Sequence, residues 1–336
     1  MSTLSGGQLH CSPIRIKCKR SLNAIAESLK DELYNGNKVP TTGWGSVSDD
    51  IEYLKPAAIE RPVVGHPDVH AETAHTPRRL KARYYWDAAD PAATRWLGDS
   101  ADKRRTNHLR AVDLVLAEAV EDHEFVGVVT TRNDDELDYV ERGLRNTFTR
   151  IDASSSVRLD SLDTAIASEF YLWLLHRYDG DQRLSEGLSL EIVRSLSSED
   201  GLSRPTSLKS GADIDRVELA AGVLSAPNRF GPAQFAVQDD ALELALELEL
   251  HQDGSFKIVV SKSVYDGQLR RLPRELKGQR LVDDAVFTIL PKVLSAYSSD
   301  KSWPNPGYTQ LKRRAREVLG PLVSSAGESI PGEVGA

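Results

Sequence analysis

The chain has 336 residues, with 42 Lys and Arg against 50 Asp and Glu for a formal net charge of −8, and it is 40% hydrophobic and 27% charged. Those proportions fit an ordinary globular protein and exclude whole-chain disorder or a collagen-like repeat, while the length sets an expectation of two domains. No apolar run approaches the roughly 18–20 residues of a membrane helix, and the opening Met1 to Gln8 has no apolar core for a signal peptide.

Charge is unevenly spread. Residues 1–110 hold 17 Lys and Arg against 13 Asp and Glu, a net of +4, which leaves −12 for residues 111–336. The N-terminal third is therefore the better place to seek an anionic partner, although host composition would produce the same bias. Arg outnumbers Lys 28 to 14, and Arg is the better bidentate phosphate ligand. The two cysteines, Cys11 and Cys18, match no zinc spacing and exclude a disulfide framework, so a reducing cytoplasm is the expected compartment.

In chain order, Ile14–Cys18 reads as a strand. Ser21 then opens a helix on which Leu22, Ile25, Ala26, Leu29 and Leu33 recur at helical spacing, up to Gly36. From Asn37 to Pro77 the prolines and glycines erase periodicity, apart from a short helical pattern near Ser48–Leu54, and predict an extended arm. Leu80–Trp86 predicts a strand, and residues 101–121, with Leu109, Val112, Val115, Leu116, Ala119 and Val120 on one face, a helix. Phe125–Val129 is a short buried strand. Asn133 and Glu136 form a capping-box pattern ahead of Leu137, Val140, Leu144 and Phe148. A helix from Asp160 buries Ile166, Phe170, Trp173 and Leu174 and stops at Gly180.

Beyond residue 184 the period changes to two. Leu188, Leu190 and Ile192 alternate with polar residues, as do Val217, Leu219, Ala221 and Val223, and most clearly Leu242 through Leu250 with Glu243, Glu247 and Glu249 between. Gly254 ends a turn, and Phe256, Ile258 and Val260 form the next strand. Helices return at Leu281–Tyr297, with a kink expected at Pro291, and at Tyr308–Leu322. The pattern predicts an α+β protein, a helix-rich α/β N-terminal part followed by an antiparallel sheet with C-terminal helices. Its segments are an N-terminal strand, helix and arm over 1–77, a helix-rich domain over 78–183, a sheet domain over 184–323 and a flexible tail over 324–336.

Four constellations bear on function. His66, Asp68, His70 and Glu72, with His75 beyond, would project from one face of an extended chain and suit a divalent metal, or else form a solvated loop. Glu247 and Glu249 sit near Asp239, Asp240 and Asp253, with Lys257 and Lys262 following. They are candidate metal carboxylates, or the acids that keep a sheet face wet. Arg78, Arg79, Lys81 and Arg83 run into Tyr84, Tyr85 and Trp86, and Lys103, Arg104, Arg105 and Arg110 follow; guanidinium groups neutralise phosphate and the rings offer stacking. The bland alternative makes those cations the wet face of an edge strand. Lys312, Arg313, Arg314 and Arg316 are a basic stretch of the last helix or simply its solvated side. No P-loop, dinucleotide fingerprint or nucleophile elbow is present.

The expected function is a non-catalytic component of a larger assembly that needs no cofactor and no membrane. It binds nucleic acid or a protein partner through Arg78, Arg79, Lys81, Arg83, Arg104 and Arg105, with Tyr85 and Trp86 stacking. The alternative is a metal-dependent hydrolase, such as a nuclease, holding a divalent ion at His66, Asp68, His70 and His75.

Overall fold

The structure is a computed structural model that describes residues 7–34, 42–45, 66–98, 106–131, 133–159, 165–199, 205–208, 215–225 and 229–327. It divides into two compact units, Met1–Ala165 with Asp253–Leu290, and Ile166–Gln252 with Pro291–Ala336. Each unit is built from two separate stretches of chain, whereas the segment boundaries expected from composition fell at 77/78 and 183/184.

The first unit opens with β1 (Gln8–Lys17) and α1 (Leu22–Lys30), whose N-terminus is closed by the Ser21 hydroxyl accepting from the Ala24 N–H. The proline-rich arm is less free than its composition suggests. Its described parts are β2 (Thr42–Trp44) and β3 (Asp68–His70), both paired antiparallel with the long β4 (Arg79–Ala89). The short α2 (Pro91–Leu97) leads to β5 (Asn107–Glu118), β6 (Glu124–Val129), α3 (Asp134–Ile151) and β7 (Ser156–Arg158). As expected, Asn133 caps α3, its Oδ1 accepting from the Glu136 N–H at 3.1 Å. Antiparallel pairing gives the order β1, β6, β5, β4, with β7 beside β1. Leu22, Ile25 and Leu29 of α1 and Val140, Leu144 and Phe148 of α3 share one core with Ile14, Leu80, Tyr84, Trp86, Leu114 and Leu116.

The helix expected over 101–121 is instead the strand β5. Both of its faces are covered near the C-terminal end, where Val115 and Ala117 are buried as well as Leu114 and Leu116. Apolar residues on two faces of a strand imitate a helical stripe, and length alone does not separate the two. Val120, a member of that supposed stripe, is fully exposed. The even-numbered series Val112, Leu114, Leu116 was the strand signal.

The second unit begins with α4 (Ser168–Asp179), followed by β8 (Arg183–Ser185), β9 (Leu188–Glu199), β10 (Pro205–Leu208), α5 (Val217–Leu224), β11 (Arg229–Asp239) and β12 (Leu244–Leu250). Its strands run antiparallel in the order β10, β9, β11, β12, with β8 on β9. α4 starts at Ser168 rather than Asp160, and residues 160–164 lie outside the described ones. α5 replaces the strand expected at 217–223. Its buried residues are Leu219, Ala220, Gly222 and Val223, a helical spacing, while Val217 is exposed. The Ala-Ala pair favours helix, and the odd-number alternation was accidental.

The chain then returns to the first unit. Gly254, at φ +78°, takes the left-handed conformation the turn requires. β13 (Phe256–Val259) pairs antiparallel with β1, and β14 (Val264–Tyr265) and a 3₁₀ turn over Gly267–Arg271 precede α6 (Arg274–Asp284). The irregularity expected at Pro291 is a π turn over Ala285–Ile289, in which the Leu290 N–H reaches back to the Ala285 carbonyl. Proline supplies no N–H to close an α turn, and the widened turn absorbs that loss. α7 (Leu290–Ser299) and α8 (Tyr308–Gly327) complete an α+β architecture with C-terminal helices, as the pattern anticipated. Residues 324–327 continue α8, and 328–336 lie outside the described residues. Among the described residues no helix is long and apolar enough to cross a membrane.

Candidate functional site

β4 alternates as a strand should. Leu80, Ala82, Tyr84 and Trp86 enter the core shared with α1 and α3. The other face carries Arg79, Lys81, Arg83, Tyr85 and Asp87, a composition that suggests solvent. All five are nevertheless buried. Burying charge is costly unless each group is paired, and the pairs are present. Arg83 donates from Nε and one terminal nitrogen to the two Asp113 carboxylate oxygens, at 2.5 and 2.8 Å. Asp87 accepts from the Tyr34 hydroxyl at 2.7 Å. Arg79 and Lys81 converge on Asp283 at the end of α6, at 2.8 and 2.6 Å.

These pairs engage three of the cations expected to form a nucleic-acid surface along Arg78–Trp86. Arg79, Lys81 and Arg83 are buried in ion pairs rather than presented as a row of phosphate contacts. Tyr85 is 0% exposed and Trp86 2%, with Trp86 stacked between Tyr84 and Tyr139, so neither ring offers a face for a base. Burial pushes the Tyr85 phenol up to about 12. Arg78 alone stays near the surface, donating to Asn23 Oδ1 at 2.6 Å. Arg104 and Arg105 lie outside the described residues.

The His66–His75 segment meets the same place. β3 pairs with β4 so that Asp68 lies opposite Lys81 and His70 opposite Arg79. The prediction that Asp68 and His70 share a face therefore holds, and cations interleave with them. His66, Asp68, His70, Arg79, Lys81 and Asp283 all line one cleft of about 940 Å³, with Lys30 and Leu33 from the end of α1 and Leu269, Leu272, Leu276 and Arg280 opposite. His75 is not part of the cleft; its carbonyl accepts from the Thr288 hydroxyl at 2.5 Å. Among the described residues no group of three or more His, Cys, Asp or Glu is placed to hold a metal ion. Cations occupy the positions where further acidic ligands would be needed.

The charge balance of the floor is its main feature. Two cations share one oxygen, Asp283 Oδ2, and Arg79 further donates to the Ala71 and Pro77 carbonyls at 3.3 Å each. Arg79 Nε, Asp283 Oδ1 and His70 Nε2 have no hydrogen-bond partner among the described residues. Lys30 is held by Glu27 at 2.7 Å and Arg280 by Asp284 at 2.8 Å. Burial raises the Asp284 carboxyl above its ordinary range, even though Arg280 and the Tyr265 hydroxyl, 2.7 Å away, oppose that shift. Behind the floor the chain thus keeps a second, internally paired set of charges.

His70 reports the local field. Burial lowers its pKa first, then Lys81 and Arg79, against the weaker pull of Asp68 and Asp283. The imidazole is therefore neutral near pH 7 and sits in a net positive field. The unfolded chain takes up a proton at an ordinary histidine value of about 6.5, while the folded chain does so only at lower pH. Stability should accordingly fall as pH drops through that window, because the unfolded state binds more protons there. His70→Gln should make the denaturation midpoint less sensitive to acidification between pH 7.5 and 5.5. An unchanged pH slope in that variant would show that His70 is solvated.

Several of the remaining candidates are held in ion pairs. The face of β12 expected to be wet is partly covered, for Glu247 is 2% exposed and bound by Arg194 at 2.8 Å and Gln234 at 2.6 Å. Glu249 meets His251 at 3.1 Å, and Asp239 meets Lys292 at 2.5 Å. Arg313, Arg314 and Arg316 are exposed along α8, with Arg314 paired to Asp215 at 2.9 Å, as a solvated helix face would be. Sequence reasoning missed Asp283 and the leucines of 269–276. The available signal was the Asp283-Asp284 pair inside the apolar run Leu281-Val-Asp-Asp-Ala-Val-Phe287, since buried acids need partners.

Fold and site together define an α+β protein with a cation-floored cleft built on the β3–β4 edge of its first unit. No family model matches the chain, and the curated proteins hold no match to it.

Proposed function

We propose that the protein is a non-catalytic binding component that accepts an anionic group in the β3–β4 cleft of its first unit. The observation that carries this is the two-to-one ratio at the floor, where Arg79 and Lys81 are neutralised by a single Asp283 oxygen. An excess positive charge at the floor of a cleft attracts an anion more strongly than the same charge on a flat open surface. The burial of Arg79, Lys81 and Arg83 supports an anion entering a cleft over a phosphate backbone laid along β4. The anionic group belongs to a small ligand or to the end of a partner.

The test uses Lys81→Met. This variant leaves Arg79 and Asp283 as a matched pair, so it should fold, yet it removes the excess charge. A ligand at 100 times its Kd stabilises the folded state by about 2.7 kcal/mol. Acetate, phosphate and longer-chain carboxylates should therefore raise the melting temperature of the wild type more than that of Lys81→Met at equal ionic strength. Binding by the variant should be at least tenfold weaker. Identical responses in the two proteins, or none in the wild type at tens of millimolar anion, would overturn the proposal.

A further inference from the structure

We infer that the ligand of this cleft is an amphiphilic monocarboxylate: one carboxylate carried on an apolar alkyl or aryl body. The inference rests on the anion-binding proposal above and adds the chemistry of the whole ligand.

The charge of the floor sets the head group. Arg79 and Lys81 contribute two positive charges and Asp283 one negative, with His70 neutral, so the buried floor carries an excess of one. Lys30 and Arg280 add nothing to that excess because Glu27 and Asp284 already hold them. Asp68 lies opposite Lys81 but is exposed, so screening by water and salt lets it offset the buried excess only in part. A monoanion balances the floor. A phosphate dianion would reverse its sign and leave a negative charge buried, which is unfavourable in a site of low polarity.

The wall sets the body. Leu269, Leu272 and Leu276 face the cleft from the 3₁₀ turn and α6, and Leu33 does so from beyond the end of α1. Leu33 is 40% and Leu276 39% exposed. Single exposed leucines are common, but these two come from distant parts of the chain and border the same cavity. A polar floor under apolar walls fits a ligand with one charged end. The volume of about 940 Å³ falls among small-ligand sites, roughly 300–1,000 Å³, rather than among macromolecular interfaces. A purely polar anion would leave the leucines hydrated, and a purely apolar molecule would leave the floor charge uncompensated.

Calorimetric titration of the full chain with acetate, hexanoate, decanoate, decan-1-ol and inorganic phosphate tests this, each below its aggregation concentration. Each methylene buried against the wall should tighten binding up to about fourfold, so decanoate should bind at least tenfold more tightly than hexanoate. It should also bind at least tenfold more tightly than decan-1-ol. Leu276→Ser, at an exposed position that spares the core, should weaken decanoate at least fivefold and leave the phosphate response unchanged. Phosphate binding as tightly as decanoate, or acetate matching decanoate, would overturn the amphiphilic ligand while leaving anion binding intact. Decan-1-ol matching decanoate, with both indifferent to Lys81→Met, would overturn the head-group assignment and the anion-binding proposal together.

Discussion

Asp283→Ala should cost the protein about 3–5 kcal/mol of unfolding free energy, the range for removing one member of a buried ion pair. Asp283 has a side-chain exposure of 2%, and the Arg79 and Lys81 side chains it neutralises are 7% and 11% exposed. Deleting its carboxylate leaves two largely buried cations without their common acceptor. Against a total stability of about 5–15 kcal/mol, that loss should lower the denaturant midpoint by about a fifth or more. The double variant Asp283→Ala with Lys81→Met should recover part of the loss, because only one cation is then stranded. Such coupling between contacting residues is the non-additivity a double-mutant cycle measures. A cost under about 1 kcal/mol for Asp283→Ala would mean that water already solvates the cluster, and the unbalanced floor would go with it.

The same cluster shows why the site was only half legible. Period-two alternation exposed β4 correctly, and it correctly placed Asp68 and His70 on one face of β3. It could not show that Arg79, Lys81 and Arg83 face inward, because alternation separates two faces without saying which is covered. What covers them comes from distant chain: Asp113 on β5 and Asp283 some 200 residues further on. Two clusters weighed separately, the histidines and the arginines, turn out to line one cavity because β3, at the end of the proline-rich arm, pairs with β4. Elsewhere the local rules succeeded where a single face was buried, as in α1 and α3. They failed at β5, apolar on both faces, and at α5, where an eight-residue segment was too short for its period to be read.

Gly127→Ala should be the most damaging conservative change in the first unit. Gly127 lies in β6, opposite Leu116 of β5 on one side and Ile14 of β1 on the other. A Cβ placed there would sit 1.8 Å from the Val115 carbonyl oxygen and 2.8 Å from its carbonyl carbon. Those are backbone atoms, so no rotamer relieves the overlap, and the strands themselves must part. Glycine inside a strand often marks such a close backbone approach. The displaced residue, Val115, is paired with Val128 in β6 and with Lys81 in β4, so the strain passes directly to the strand that carries the cleft. Overpacking typically costs about 1–3 kcal/mol and more where the backbone must move, and a loss of at least about 3 kcal/mol is expected here. Gly143→Ala provides the comparison. Its Cβ would approach the Tyr84 hydroxyl at 2.4 Å and the ring carbon that bears it at 2.5 Å; that ring is buried and must shift within the core, but no backbone atom is displaced. Denaturant unfolding should therefore rank Gly127→Ala well below Gly143→Ala, with anion binding weakened in the first and retained in the second. A Gly127→Ala protein that unfolds cooperatively within about 1 kcal/mol of the wild type would show that β5 and β6 do not approach so closely, and the β3–β4 edge would then not depend on their spacing.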